Sequence, residues 1–178
     1  MKNKIITIPN ILSLFRLCLI PVIVWLYCFR QDYLLTTVVL IISGVTDVID
    51  GIIARKFNMV SDFGKAFDPL ADKLTQMAVL FCLVSRFSYM LIPLVILVIK
   101  ELFAAVTGIL AIKKTNTVMG AVWHGKLTTV LLYTVMLIHI IWFSIPETVS
   151  VVLVCICTVM MLISAVLYGM RNIKVLRG

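Results

Sequence analysis

Residues 47–72 read DVIDGIIARKFNMVSDFGKAFDPLAD and hold five of the chain's eight acidic residues: Asp47, Asp50, Asp62, Asp68 and Asp72. Asp47 and Asp50 are spaced i,i+3, and Asp68 and Asp72 i,i+4, so each pair can share one face of a helix. Both pairs lie at the margins of long apolar segments. A carboxylate left uncompensated there costs roughly 2.5–3.5 kcal/mol on insertion scales. Four such charges would repel one another, and the cheapest compensation is bound divalent metal. Oxygen ligands without His or Cys favour Mg²⁺, Mn²⁺ or Ca²⁺ over zinc. The residues predict a hard-metal site at a membrane surface. Asp62 has no partner in this pattern and reads as a solvated loop acid.

Other residues nearby suit a phosphate-bearing ligand. Gly51 removes a side chain beside Asp50, and Ala54 is small and one turn away, so a flat group could lie against both. Arg55 follows as a fixed cation. Near the N-terminus, Asn10, Ser13 and Arg16 make a polar stripe on a helix otherwise of Ile, Leu and Phe, with Asn10 as the expected N-cap. Arg16 either snorkels to the interface or borders a cavity and helps hold a phosphate. Lys73 is either a snorkelling cation or a local counter-charge for Asp72. Pro69 disfavours helical geometry at Asp68 and is expected in the first turn of its helix. Lys100-Glu101 reads as a neutralised pair, and Lys126, inside an apolar boundary, as a phosphate ligand. His124 reads as an interfacial polar residue and His139 as a packed or hydrogen-bonded one.

The elements that must position these residues are membrane helices. The chain has 178 residues, of which 62% are hydrophobic and 13% charged. A run of about 20 apolar residues crosses a bilayer, and six candidates occur, at roughly 11–29, 33–54, 66–85, 88–112, 121–144 and 147–169. The third, fourth and fifth carry polar interruptions, which suits helices lining a polar cavity. Lys2, Lys4, Arg55, Lys56, Lys65, Lys113, Lys114, Arg171, Lys174 and Arg177 fall on one side of this topology, Arg30 and Arg86 on the other. That asymmetry puts both termini, and the aspartates, on the cytoplasmic side of the cell membrane. Trp25, Trp123 and Trp142 lie near the expected interfaces.

The expected fold is all-α: one polytopic membrane domain over residues 1–178, with six transmembrane helices around a cytosol-facing polar cavity and a short interfacial N-terminal segment. The net charge of +8 sorts by membrane side and forms no basic face, which argues against nucleic acid and for lipid head groups as the anionic partner. The five cysteines all fall in apolar segments without a CxxC arrangement and read as buried small hydrophobes. Asn10 and Arg16 interrupt the first apolar stretch, so a cleavable signal peptide is not expected.

The spacing Asp47-x2-Asp50-Gly51-x2-Ala54-Arg55-x8-Gly64-x3-Asp68-x3-Asp72 resembles, without a departure, the signature of the CDP-alcohol phosphatidyltransferase family. The phrases IPNILSLFRLCLIP, FDPLADK and HGKLTT look like its bacterial phosphatidylglycerolphosphate synthase and cardiolipin synthase branch. This resemblance implies a homodimer of six-helix subunits that transfers a phosphatidyl group from CDP-diacylglycerol to an alcohol acceptor and releases CMP. It implies two divalent cations, Mg²⁺ or Mn²⁺, among Asp47, Asp50, Asp68 and Asp72. Gly51, Ala54, Arg55, Gly64 and Asp68 would hold the CDP moiety, and Asp72 would be the general base.

The acceptor stays open between two readings. Glycerol 3-phosphate comes first, with Arg16, Lys100 and Lys126 as its candidate phosphate ligands. Phosphatidylglycerol comes second. Phosphatidylglycerolphosphate synthases commonly carry an Arg-Glu pair, a later Leu-Arg and a GKxKT motif, where this chain has Lys100-Glu101, Thr107-Gly108 and Gly125-Lys126-Leu127-Thr128-Thr129. Two expected cations are thus missing, which weakens the case for a small dianionic acceptor. In another class altogether, buried acids in a six-span protein would suit a divalent-cation transporter. The acids cluster at one edge with no counterpart near the other face, which argues against that reading.

Overall fold

On the first two helices many large apolar side chains face outward while polar ones are buried, the reverse of a soluble protein's surface. On the first helix Asn10, Ser13 and Arg16 are buried, whereas Ile11, Leu14 and Phe15 are exposed. On the second, Thr36, Thr37, Ser43 and Asp50 are buried and Leu34, Val38, Ile41, Val45 and Val48 face out. Lipid is as apolar as Leu, so outward apolar faces are stable and polar groups must find partners within the protein.

The computed structural model describes residues 7–56, 62–115 and 123–177. The expectations for the loop at 57–61, and for the side chains of Ala54, Arg55, Asp62 and His124, lie outside the described residues. Helix α1 spans Ile8–Val24 and runs straight on into a π-helical turn, Trp25–Arg30. Helices α2 (Tyr33–Lys56) and α3 (Asp62–Val84) follow. A short 3-10 turn at Ser88–Met90 leads into α4 (Leu91–Thr115), followed by α5 (Trp123–Ile141) and α6 (Glu147–Arg177). No strand occurs among the described residues. The fold is all-α, as the apolar runs predict.

Among the described residues four stretches are long and apolar enough to cross a membrane: Asn10–Arg30, Tyr33–Ile53, Ser88–Thr107 and Glu147–Arg171. The apolar part of α5, Gly125–Ile141, is shorter. Helix α3 is weakened as a span by Asp68, Asp72 and Lys73, the residues that give it chemical interest.

The chain divides into two compact units, Met1–Arg86 and Phe87–Gly178. In the first, α1 packs against both α2 and α3. Its N-cap is Thr7 rather than Asn10, the expected cap. Thr7 is extended (φ −125°, ψ 156°), its hydroxyl accepts from the Asn10 N–H at 3.5 Å, and Pro9 fills the first turn, where its missing N–H costs nothing. Asn10 is therefore already inside the helix. Gln31 takes a left-handed conformation (φ 52°) that ends the π-helical turn. The Asp32 carboxylate then accepts from the Leu35 N–H at 3.0 Å and caps α2. Pro69 lies inside α3 and not in its first turn, because the helix starts as early as Asp62.

In the second unit α6 packs against both α4 and α5. A Cβ on Gly125 would come within 2.7 Å of the Tyr168 hydroxyl, and one on Gly169 within 3.2 Å of the Phe103 ring. The two glycines let α6 approach α5 and α4 respectively. His139 is fully buried, as a packed and hydrogen-bonded histidine should be. Its Nδ1 donates to the Val135 carbonyl at 2.7 Å, so its Nε2 accepts from Ser150 Oγ at 2.6 Å. Ser150 Oγ in turn accepts from the Tyr89 hydroxyl at 2.6 Å, which ties α5, α6 and the turn before α4 together. Of the five cysteines only Cys82 and Cys157 are buried; Cys18, Cys28 and Cys155 lie on outward faces, where a small apolar side chain is equally at home. This corrects the expectation that all five are interior.

Candidate active site

All four signature aspartates belong to the first unit, Asp47 and Asp50 on α2 and Asp68 and Asp72 on α3. Helix α1 joins the two pairs. Arg16 is 0% exposed. Its Nη2 donates to Asp50 Oδ2 at 2.5 Å, and its Nη1 lies 2.6 Å from Asp47 Oδ1. One turn earlier, Ser13 Oγ donates to Asp68 Oδ1. The polar stripe thus points inward, and Arg16 does not snorkel. It forms a buried ion-paired bridge to α2, while Ser13 reaches α3.

The four carboxylates stand in one another's field. Asp47 feels the charges of Asp68 and Asp72, and Asp50 those of Asp47 and Asp68. Their surroundings differ. The side chain of Asp50 is 3% exposed, whereas that of Asp47 is 45% exposed, so Asp47 marks the open side of the cluster. Asp72 Oδ2 accepts from Gln76 Nε2 at 2.9 Å and lies 3.8 Å from Lys73 Nζ. Lys73 also donates to Gln76 Oε1 at 3.4 Å. Lys73 is therefore a local counter-charge, and Gln76 fixes the orientation of Asp72. The one signal for Gln76 in the sequence is its i+4 spacing from Asp72 on a helix.

Among the described residues no three His, Cys, Asp or Glu side chains converge closely enough to form a metal-ligand group. The donor chemistry nevertheless fits a hard cation: two pairs of carboxylates and a serine hydroxyl, all oxygen, with no nitrogen or sulfur ligand among them. Arg16 already supplies a cation to Asp47 and Asp50, evidence that these oxygens need positive charge.

Gly51 is half-buried on α2 and Gly64 is buried on α3, while Ala54 and Arg55 continue α2 one turn beyond Gly51. Lys100 and Lys126 belong to the second unit. Lys100 is buried and its Nζ lies 3.1 Å from Glu101 Oε1, the neutralised pair expected from sequence. Lys126 is exposed on the first turns of α5. Thr107 turns its hydroxyl back to the Phe103 carbonyl at 2.8 Å.

The profile described as CDP-alcohol phosphatidyltransferase matches residues 6–170 and runs through both units. The chain is 35% identical over 119 residues to the CDP-diacylglycerol–glycerol-3-phosphate 3-phosphatidyltransferase of Rickettsia typhi, covering 65% of each, just under two thirds of that relative's length. It is 36% identical over 137 residues to the protein of the same name from Bacillus subtilis, covering 68% of this chain and 70% of that one. It is also 36% identical over 114 residues to a cardiolipin synthase (CMP-forming) of Streptomyces coelicolor, covering 61% and 53%. With the signature aspartates assembled in one unit and the profile spanning nearly all of the sequence, the chain belongs to the CDP-alcohol phosphatidyltransferase family.

Proposed function

We propose that the protein transfers the phosphatidyl group of CDP-diacylglycerol to an alcohol and releases CMP, with glycerol 3-phosphate as the acceptor and phosphatidylglycerol phosphate as the product. The observation that carries this reading is the joining of the two aspartate pairs through Arg16 and Ser13 of α1. The names of the Rickettsia typhi and Bacillus subtilis relatives support the choice of acceptor. The Streptomyces coelicolor relative, and the absence of cations at Thr107-Gly108, favour phosphatidylglycerol as the second reading.

In the reaction the acceptor hydroxyl oxygen bonds to the phosphorus that carries diacylglycerol. The bond from that phosphorus to the bridging oxygen breaks, and its electron pair leaves with CMP. Asp72 takes the hydroxyl proton. The hydrogen bond from Gln76 holds the carboxylate in one orientation. Gly51, Ala54, Arg55, Gly64 and Asp68 bind the CDP moiety, the small residues allowing a close approach and Arg55 supplying charge. Arg16, Lys100 and Lys126 are the candidate phosphate ligands for the acceptor on the strength of the sequence alone.

Two Mg²⁺ or Mn²⁺ ions held by Asp47, Asp50, Asp68 and Asp72 would supply neutralisation of the pyrophosphate and of the departing phosphate. The lipid tails stay in the bilayer, which explains the site's place at the end of membrane helices. The six crossings, the cytosol-facing cavity, the cytoplasmic termini and site, the plasma membrane location and the homodimer all belong to the same proposal.

The test is phosphatidyl transfer from radiolabelled CDP-diacylglycerol by the purified protein, with glycerol 3-phosphate, phosphatidylglycerol, serine and inositol phosphate offered separately. Labelled phosphatidylglycerol phosphate is the expected product. Labelled cardiolipin would establish the second reading instead.

A further inference from the structure

Arg16 has a place in the site that neither a lipid-facing nor a simple substrate-binding role explains. It is fully buried, and its guanidinium bonds to Asp50 at 2.5 Å and pairs with Asp47 at 2.6 Å, the two carboxylates of α2. Its Nε has no hydrogen-bond partner among the described residues. An arginine bridging two acids in this way satisfies the need that a divalent ion would satisfy, on the same oxygens. A buried carboxylate stripped of its partner is strongly destabilising, so the cluster has to hold a cation of one kind or the other.

We propose that Arg16 is the built-in counter-cation of the aspartate cluster, competing with the divalent ion for Asp47 and Asp50 and giving them up when the ion binds. The inference rests on reading the aspartates as metal ligands. Arg16 sits on α1, whose Ser13 reaches Asp68 on α3, so the same short segment also holds the two aspartate pairs together. Once displaced toward the open side that Asp47 marks, the guanidinium is a reagent-accessible cation in need of an anion, and a substrate phosphate is the group able to supply one.

The experiment is Mn²⁺ binding to the purified protein in detergent without substrate, followed by the electron paramagnetic resonance of free Mn²⁺. Arg16→Gln removes the competitor and should bind Mn²⁺ at least about tenfold more tightly than the unsubstituted protein, a factor equivalent to about 1.4 kcal/mol. Arg16→Lys keeps the charge but loses the planar fork that spans two carboxylates. A gain in affinity there as well separates loss of the bonds from loss of the charge. With a chelator present, Arg16→Gln should melt below the unsubstituted protein and recover on addition of Mn²⁺.

The unsubstituted protein gives an independent readout that needs no variant to fold. Phenylglyoxal should leave Arg16 unmodified in chelator and label it when Mn²⁺ is bound, as read by peptide mass spectrometry. Equal Mn²⁺ affinity in the unsubstituted protein and Arg16→Gln, or labelling indifferent to Mn²⁺, overturns the competition while leaving the metal site standing. No Mn²⁺ binding to either protein removes the metal reading, and this inference with it.

Discussion

Asp50 and Asp47 lie one helical turn apart on α2 and share one arginine, yet their substitution should have very different effects on stability. Asp50 is closed off from the surroundings, with 3% of its side chain exposed, and its Oδ2 accepts the 2.5 Å bond from Arg16. Asp50→Asn leaves the buried Arg16 with Asp47 as its one remaining carboxylate. Breaking a buried pair costs about 3–5 kcal/mol, and because Asp47 still compensates part of the charge the lower end, about 3 kcal/mol, applies. Asp47 is 45% exposed, so its pairing with Arg16 is screened, and Asp47→Asn should cost no more than about 1 kcal/mol. The assay is denaturant or thermal unfolding in one detergent with a chelator throughout, so that no divalent ion contributes. Equal losses for the two variants, or a larger loss for Asp47→Asn, would refute the reasoning that burial of the Arg16–Asp50 pair holds α1 to α2. In CMP release both variants should be inactive, which separates the shared functional role from the unequal structural one.

Three further outcomes follow from the same geometry. Asp72→Asn should abolish CMP release, a loss of at least about a hundredfold for a missing general base, with unfolding changed by no more than about 1 kcal/mol, because the amide oxygen still accepts from Gln76 and the pairing given up with Lys73 is long; retained turnover would remove Asp72 from the base role. Lys126→Ala, at an exposed position, should raise the apparent KM for the acceptor severalfold with little change in kcat, and an unchanged KM would count against acceptor binding there. Ser150→Ala leaves buried His139 and the Tyr89 hydroxyl without their common partner, so it should cost about 1–3 kcal/mol in unfolding while CMP release per folded molecule stays the same.

The aspartate pairs were legible because a carboxylate in an apolar chain is costly, and their i,i+3 and i,i+4 spacings speak for helices. The helices were legible for a related reason: apolar runs of membrane length leave few alternatives. The partners of the aspartates were less so. Asn10, Ser13 and Arg16 announced a polar stripe, but a stripe fits an interfacial helix as well as a buried one, and only packing of α1 against both α2 and α3 decides between them. Asn10 was taken for the cap because it follows Pro9, whereas Thr7 serves, since a proline in the first turn places the cap before it. Pro69, expected in the first turn of its helix, lies seven residues into one that begins at Asp62. The hydrogen-bonded set Tyr89, Ser150 and His139 joins residues 61 apart in sequence, a separation at which no local pattern applies.

The most direct test is CMP release by purified protein given CDP-diacylglycerol, glycerol 3-phosphate and Mg²⁺ or Mn²⁺. Release should require all three, stop on addition of a chelator and resume when the divalent ion is restored, with one phosphatidylglycerol phosphate formed per CMP. No release with any alcohol offered, together with divalent-ion flux across proteoliposomes, would contradict it and return the aspartates to a transport role.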